Sequence, residues 1–187
     1  MNLRRALLVE ARDFSPGKRS DTMGRALALA CSMALPTQDL RTFFVTSVTF
    51  NRRAVFQTIR MSELLVEIFN DNRQKGRFLL HEYVIMPDHF HLLLTPAPDA
   101  PLEKALQYIK GGFSFRARKI LESTSEIWQQ GFTNHRVRDS DDYQKHRAYI
   151  HQNPVSRFLA RTPEEFRFSS AHPDAQLDPA PPWLKPF

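Results

Sequence analysis

His89 and His91 are the residues whose types and spacing first suggest chemistry. They stand two apart in a stretch that reads as a β-strand. Successive strand side chains point to opposite faces, so both imidazoles project from one face while Phe90 enters the other. Paired imidazoles on one face suit a single metal ion, although a histidine pair at a strand end often has no such role. A closed structural site normally takes four protein ligands, so two histidines imply an open, catalytic ion that still needs a third ligand and a reacting group. Leu92, Leu93 and Leu94 follow at once and would anchor the strand.

Residues 148–155 offer both missing parts. On a helix, Tyr149 and Asn153 are one turn apart and face the same way, so the Asn153 amide oxygen could reach an ion lying beside the phenol. An oxygen ligand with two imidazoles suits Mg2+ or Mn2+. Pro154 disfavours helical geometry in the residue before it, which places Asn153 at the helix end. The dipole there favours a cation and opposes a phenolate. A free phenol ionises only near pH 10, so the ion or the phosphate environment would have to assist.

The elements that must position these groups can be read from periodicity. Residues 42–50 are rich in β-branched and aromatic side chains and predict a strand. A helix follows at 60–75, where Met61, Leu64, Leu65, Ile68 and Phe69 recur at three- and four-residue spacing. Residues 78–86 and 90–95 predict an antiparallel hairpin turned at Pro87 and Asp88. Pro101 opens a second helix to about Leu121 with an apolar face of Leu102, Leu106, Ile109, Phe113 and Ile120, and Gly111 with Gly112 could kink it. Residues 127–138 read as an irregular strand. Ser140 is placed to cap a last helix whose first turn carries Asp141 and Asp142. That order is a split βαβ pattern, an α+β fold with a four-stranded antiparallel sheet, helices on one face and a tyrosine-bearing C-terminal helix.

The domain is expected over residues 39–172. Residues 1–38 lack a sustained period and include a second possible start, Met23, so they read as a peripheral extension. Residues 173–187 are Pro-rich and should be extended with little core. Cys31 is the single cysteine, which excludes an intramolecular disulfide and a Cys-rich zinc module. The apolar run 26–35 is too short to span a bilayer, and the acidic and proline residues before it argue against export, so a cytoplasmic location without membrane contact is expected. A formal net charge of +6 suits a polyanionic partner.

Three motifs carry a family resemblance: MPDHFHLLL (86–94), WQQGFTNHRVRD (128–139) and DYQKHRAYIHQNPV (142–155), followed by FRFSSA (166–171). Together they resemble the HUH single-tyrosine transposases, in the branch called REP-associated tyrosine transposases, over residues 40–172. The resemblance implies a ferredoxin-like fold and metal-dependent cleavage of single-stranded DNA near hairpins or palindromic repeats. It implies His89 and His91 as metal ligands, Tyr149 as nucleophile and Asn153 as the third polar ligand. Tyr143 falls where the family carries a tyrosine that is not the nucleophile. A monomer is expected, with a dimer as the alternative.

Attack of Tyr149 on phosphorus would leave a 5′-phosphotyrosine link and a free 3′-hydroxyl. DNA contacts are expected from Lys104, Lys110, Arg116, Arg118 and Lys119 on the second helix, and from Arg136, Arg138, Lys145 and Arg147 nearer the nucleophile. Phe113, Phe115 and Trp128 are candidates for stacking on bases, with Phe113 better placed for the core. Two other classes compete: a ferredoxin-like nucleic-acid binder without activity, and a histidine-metal hydrolase that uses activated water.

Overall fold

The β-branched and aromatic run near residue 45 forms strand β1 (Phe43–Val48). Helix α1 (Ile59–Gln74) follows, then the hairpin of β2 (Phe78–Met86) and β3 (His89–Pro96). Helix α2 (Leu102–Leu121), the short strand β4 (Thr133–Arg136) and helix α3 (Ser140–Ser156) complete the order. This computed structural model describes residues 40–122, 124–181, 183 and 184. The expected extension 1–38, with Met23, Cys31 and the apolar run 26–35, lies outside them. Among the described residues no helix is long and apolar enough to cross a membrane.

All pairings are antiparallel and the strand order is β2-β3-β1-β4, the arrangement that a split βαβ order predicts. Helices α1 and α2 cover one face. Met61, Leu65, Ile68 and Phe69 of α1 and Leu106, Ile109 and Phe113 of α2 bury against Val45, Ile85, Phe90, Leu92 and Leu94. The opposite face carries a smaller cluster, in which Tyr143 and Ile150 of α3 meet Val84, Met86 and Leu93. The tyrosine-bearing helix therefore lies across the sheet from the other two.

Four local expectations are corrected. Asp139, not Ser140, caps α3, its carboxylate accepting from the Asp142 amide at 2.8 Å. Helix α2 runs through Gly111 and Gly112 without a break. Residues 127–138 give a strand only at 133–136, because Trp128 turns into the core and donates to the Lys110 carbonyl at 3.0 Å. The Pro-rich tail is not peripheral: Ala175 and Leu177 pack on the main core, and Trp183 and Leu184 pack on the smaller one.

The physical reason for the last correction is the outer edge of β2. Its backbone groups need partners, and the C-terminal segment supplies them. Ile85 donates to Phe168, Ser170 to Tyr83, Asp178 to Leu80, and Leu80 in turn to the Asp178 carboxylate. Arg73 of α1 clamps Asp178 at 3.0 Å.

A bulge between Leu80 and Glu82 puts two consecutive polar side chains on the α3 face. His81 bonds Thr95 and the Pro179 carbonyl. Glu82 accepts from Arg147 and His151 of α3, both at 2.8 Å, and from Ser170 at 2.5 Å. These bonds flank Tyr149 by two residues on each side and fix its helix to the sheet.

Burial works to raise the Glu82 carboxyl, but the bonds from His151 and Ser170 and the nearby charges outweigh it, leaving the group below its ordinary range. Glu82→Gln should lower stability at pH 7 by about 1–3 kcal/mol. A depressed carboxyl stabilises fully above the ordinary glutamate value of about 4.3 and loses that contribution as pH falls through its lowered value. The stability gap between wild type and variant, from urea unfolding at several pH values, should therefore shrink below about pH 4.

Helix α1 ends in a two-bond Schellman turn, with Gly76 donating to Arg73 and Arg77 to Asn72, and Gly76 takes φ +65°. Gly111 lies exposed in mid-helix with nothing within 4 Å of an added Cβ. Gly76→Ala should destabilise by about 1 kcal/mol, while Gly111→Ala should stabilise by about 1 kcal/mol. Urea midpoints moving in opposite directions would show both.

Candidate active site

Strand β3 is central, and its alternation decides which groups face α3. His89 lies opposite Val48 and Met86, and His91 opposite Thr46 and Val84. Their ring centroids are 4.8 Å apart. Each Nδ1 is held by an oxygen: His89 by Asp88 at 2.5 Å, and His91 by Thr46 at 2.7 Å. Such second partners fix ring orientation and leave Nε2 for a ligand.

The Nε2 atom of His91 is buried and has no hydrogen-bond partner among the described residues. Leaving a buried polar atom unsatisfied costs about 1–3 kcal/mol. The one other such side-chain atom, Ser47 Oγ, lies on a residue of the helical face. An imidazole with one nitrogen anchored and the other bare fits a metal ligand. Burial, and next the adjoining His89, push His91 down to about 3, which keeps the ring neutral as coordination requires. Burial works to raise Asp88, but His89 and then Arg52 more than offset it, so its carboxyl lies below the ordinary range.

Helix α3 brings the tyrosine to this pair. Tyr149 is 52% exposed, yet its ring centroid lies 5.1 Å from that of His91 and 5.9 Å from Phe44. Asn153 is buried one turn further along. The helix continues through Pro154 to Ser156, so Asn153 sits within the last turn rather than at its end. Tyr143, the competing tyrosine, is only 3% exposed and belongs to the smaller core. Burial, with the Glu82 charge added, pushes its phenol well above the ordinary value.

The expected DNA-contacting residues do not form one surface. Lys104, Arg116, Arg118 and Lys119 ride on α2, with the sheet between that helix and Tyr149. Arg116 pairs with Asp71 and Glu67, and Lys104 donates to Gln107. Lys110 is engaged by the Gln129 and Gly131 carbonyls, and burial lowers its pKa. Arg147 is bound to Glu82. Arg136, Arg138 and Lys145 are exposed on β4, on the β4–α3 connection and on α3. Of the three aromatics expected to stack on bases, Phe113 and Trp128 are core, and Phe115 is exposed beneath Lys119.

Sequence reasoning missed Thr46, Asp88 and Phe44. Asp88 directly precedes His89, and Thr46 emerges only once β1 is aligned with β3. It also missed a cavity of about 260 Å3 beside His89, lined by Arg52, Met86, Pro87, Asp88, Arg157 and Leu159. Its two arginines come from distant segments that no local pattern links.

Comparison with known proteins identifies relatives of this fold. The family described as "Transposase IS200 like" matches residues 39–153. A REP-associated tyrosine transposase of Escherichia coli K12 is 29% identical over 134 residues, covering 71% of this chain and 78% of that protein. A relative from Haemophilus influenzae is 31% identical over 104 residues, covering 50% of this chain and 59% of its own. A solved REP-associated tyrosine transposase bound to a REP hairpin superposes with a TM-score of 0.61 at 27% identity, covering 72% of this chain and 79% of that one. The chain belongs to the IS200-like transposase family and is similar to its REP-associated tyrosine transposases.

Proposed function

We propose that this protein nicks single-stranded DNA at hairpin or palindromic sites and rejoins it through a covalent link to Tyr149. The observation that carries the reading is an exposed Tyr149 phenol beside a buried His91 whose Nε2 has no partner. The hairpin-bound relative supports a hairpin substrate. A Mg2+ or Mn2+ ion held by His89, His91 and Asn153 would supply Lewis-acid polarisation of the scissile phosphate.

The remaining steps belong to the chain's own residues. The Tyr149 oxygen attacks phosphorus in line, a P–O bond to tyrosine forms, and the bond to the 3′-oxygen breaks. The phenol loses its proton and the departing oxygen gains one, giving a 5′-phosphotyrosine and a free 3′-hydroxyl. The link conserves the phosphodiester, so another 3′-hydroxyl can displace Tyr149 and join a new strand without ATP. Arg52 and Arg157, lining the cavity beside His89, can hold neighbouring phosphates, and Arg138 and Lys145 can do so near the start of α3. The Glu82 tether fixes the helix that aims the phenol.

Incubation with divalent metal and labelled hairpin DNA should give a denaturation-resistant adduct. Tyr149→Phe should abolish it while retaining fold and DNA binding, and Tyr143→Phe should retain it. Cleavage without an adduct would instead indicate a hydrolase, and binding alone a non-catalytic binder. His89→Ala and His91→Ala should abolish cleavage but keep most DNA affinity, since phosphate contacts dominate it. Fully paired duplex should resist cutting.

Thr46→Val removes the hydroxyl that orients His91 and should raise the metal concentration for half-maximal cleavage about 10–100-fold. An unchanged metal titration would separate Thr46 from the site.

A further inference from the structure

A second group of metal-binding side chains lies between β4 and the first turns of α3. His135 comes from β4, and Asp142 and His146 come from α3. One ligand atom from each lies within 4.8 Å of the others. Asp142 bridges the two imidazoles, with Oδ2 2.7 Å from His135 Nε2 and Oδ1 3.3 Å from His146 Nε2. The rings stand 4.9 Å apart.

Asp142 and His146 are four residues apart, the spacing at which one helix face offers two ligands to one ion. A third ligand from the neighbouring strand closes a facial set. All three side chains keep 20–39% of their surface, so an ion can enter and a water can complete its shell. Two imidazoles and one carboxylate suit Zn2+ and its neighbours in the first transition row better than Mg2+, which prefers an all-oxygen shell.

We propose that His135, Asp142 and His146 form a second divalent-metal site, of the zinc class and separate from the His89 and His91 pair. Binding exchanges the two hydrogen bonds to Asp142 for coordination. Each coordinating imidazole presents its Nε2 lone pair and carries its proton on Nδ1.

The ion would join β4 to α3 three residues before Tyr149. His146 also stacks on Phe44 at 4.2 Å, and Phe44 stacks on His91 at 5.4 Å. The site therefore braces the helix that carries the phenol, although metal binding there does not depend on the DNA chemistry.

The test uses the full chain carrying His89→Ala and His91→Ala, with Co2+ as a coloured stand-in for Zn2+. This variant should bind one equivalent of Co2+ with the visible bands of imidazole coordination. Zn2+ at about 100-fold above its Kd should raise Tm by about 5–10 °C. Adding His146→Asn should remove both effects, and Asp142→Asn and His135→Asn provide separate tests should that variant fold poorly. The proposal is overturned if the starting variant binds no Co2+, or if binding and Tm shift persist in folded variants lacking His135, Asp142 or His146. No DNA or Tyr149 reaction enters this measurement, so its failure and that of the strand-cleavage reading are distinguishable.

Discussion

The antiparallel pairing of β3 with β1 on one side and β2 on the other is the constraint from which the site follows. With both of its faces covered, β3 must send Phe90, Leu92 and Leu94 into the helical core and His89, His91 and Leu93 the other way. A slip of one residue would exchange the two sets, placing imidazoles against Phe69 and phenylalanine against Tyr149. The three buried apolar side chains on the helical face make that slip prohibitive. The same hydrophobic burial that stabilises the sheet therefore fixes where the imidazoles point.

Much of this was legible in the sequence because it depends on short-range periodicity. The period-two pattern through residues 89–94 gave both faces of β3, and the three- and four-residue spacing of Met61 to Phe69 gave the buried stripe of α1. Tyr149 and Asn153 were singled out by helical spacing as partners for the histidine pair, and the fold sets Tyr149 beside His91. What could not be read depends on partners distant in the chain. Trp128 is drawn inward by Phe56, Phe90 and Phe113, so its segment cannot remain a continuous strand. The tail looked too rich in proline to matter, but it answers the unpaired backbone of β2. The basic residues of α2 were grouped by helix position, while the sheet that separates them from Tyr149 is a property of the whole fold.

Carboxylates recur beside histidines around this face. Asp88 orients His89, Glu82 anchors His151, and Asp142 bridges His135 and His146. In all three, burial opposes the charge and hydrogen bonds restore it, so each carboxyl stays below its ordinary range. The effect is to set imidazole orientation, with each of the three carboxylates committed to a donor.

The two edges of the sheet are finished in different ways. Strand β4 is four residues long and polar, offering a short ladder to any other chain. Strand β2 has nine residues, nearly all buried, and its outer edge is covered by the segments around Phe168, Ser170 and Asp178. Uncovered, it would be a long apolar template for strand addition between molecules. Until the segments around Phe168, Ser170 and Asp178 dock, that edge is unpaired, so strand addition between molecules is most favoured at the stage of folding just before they do.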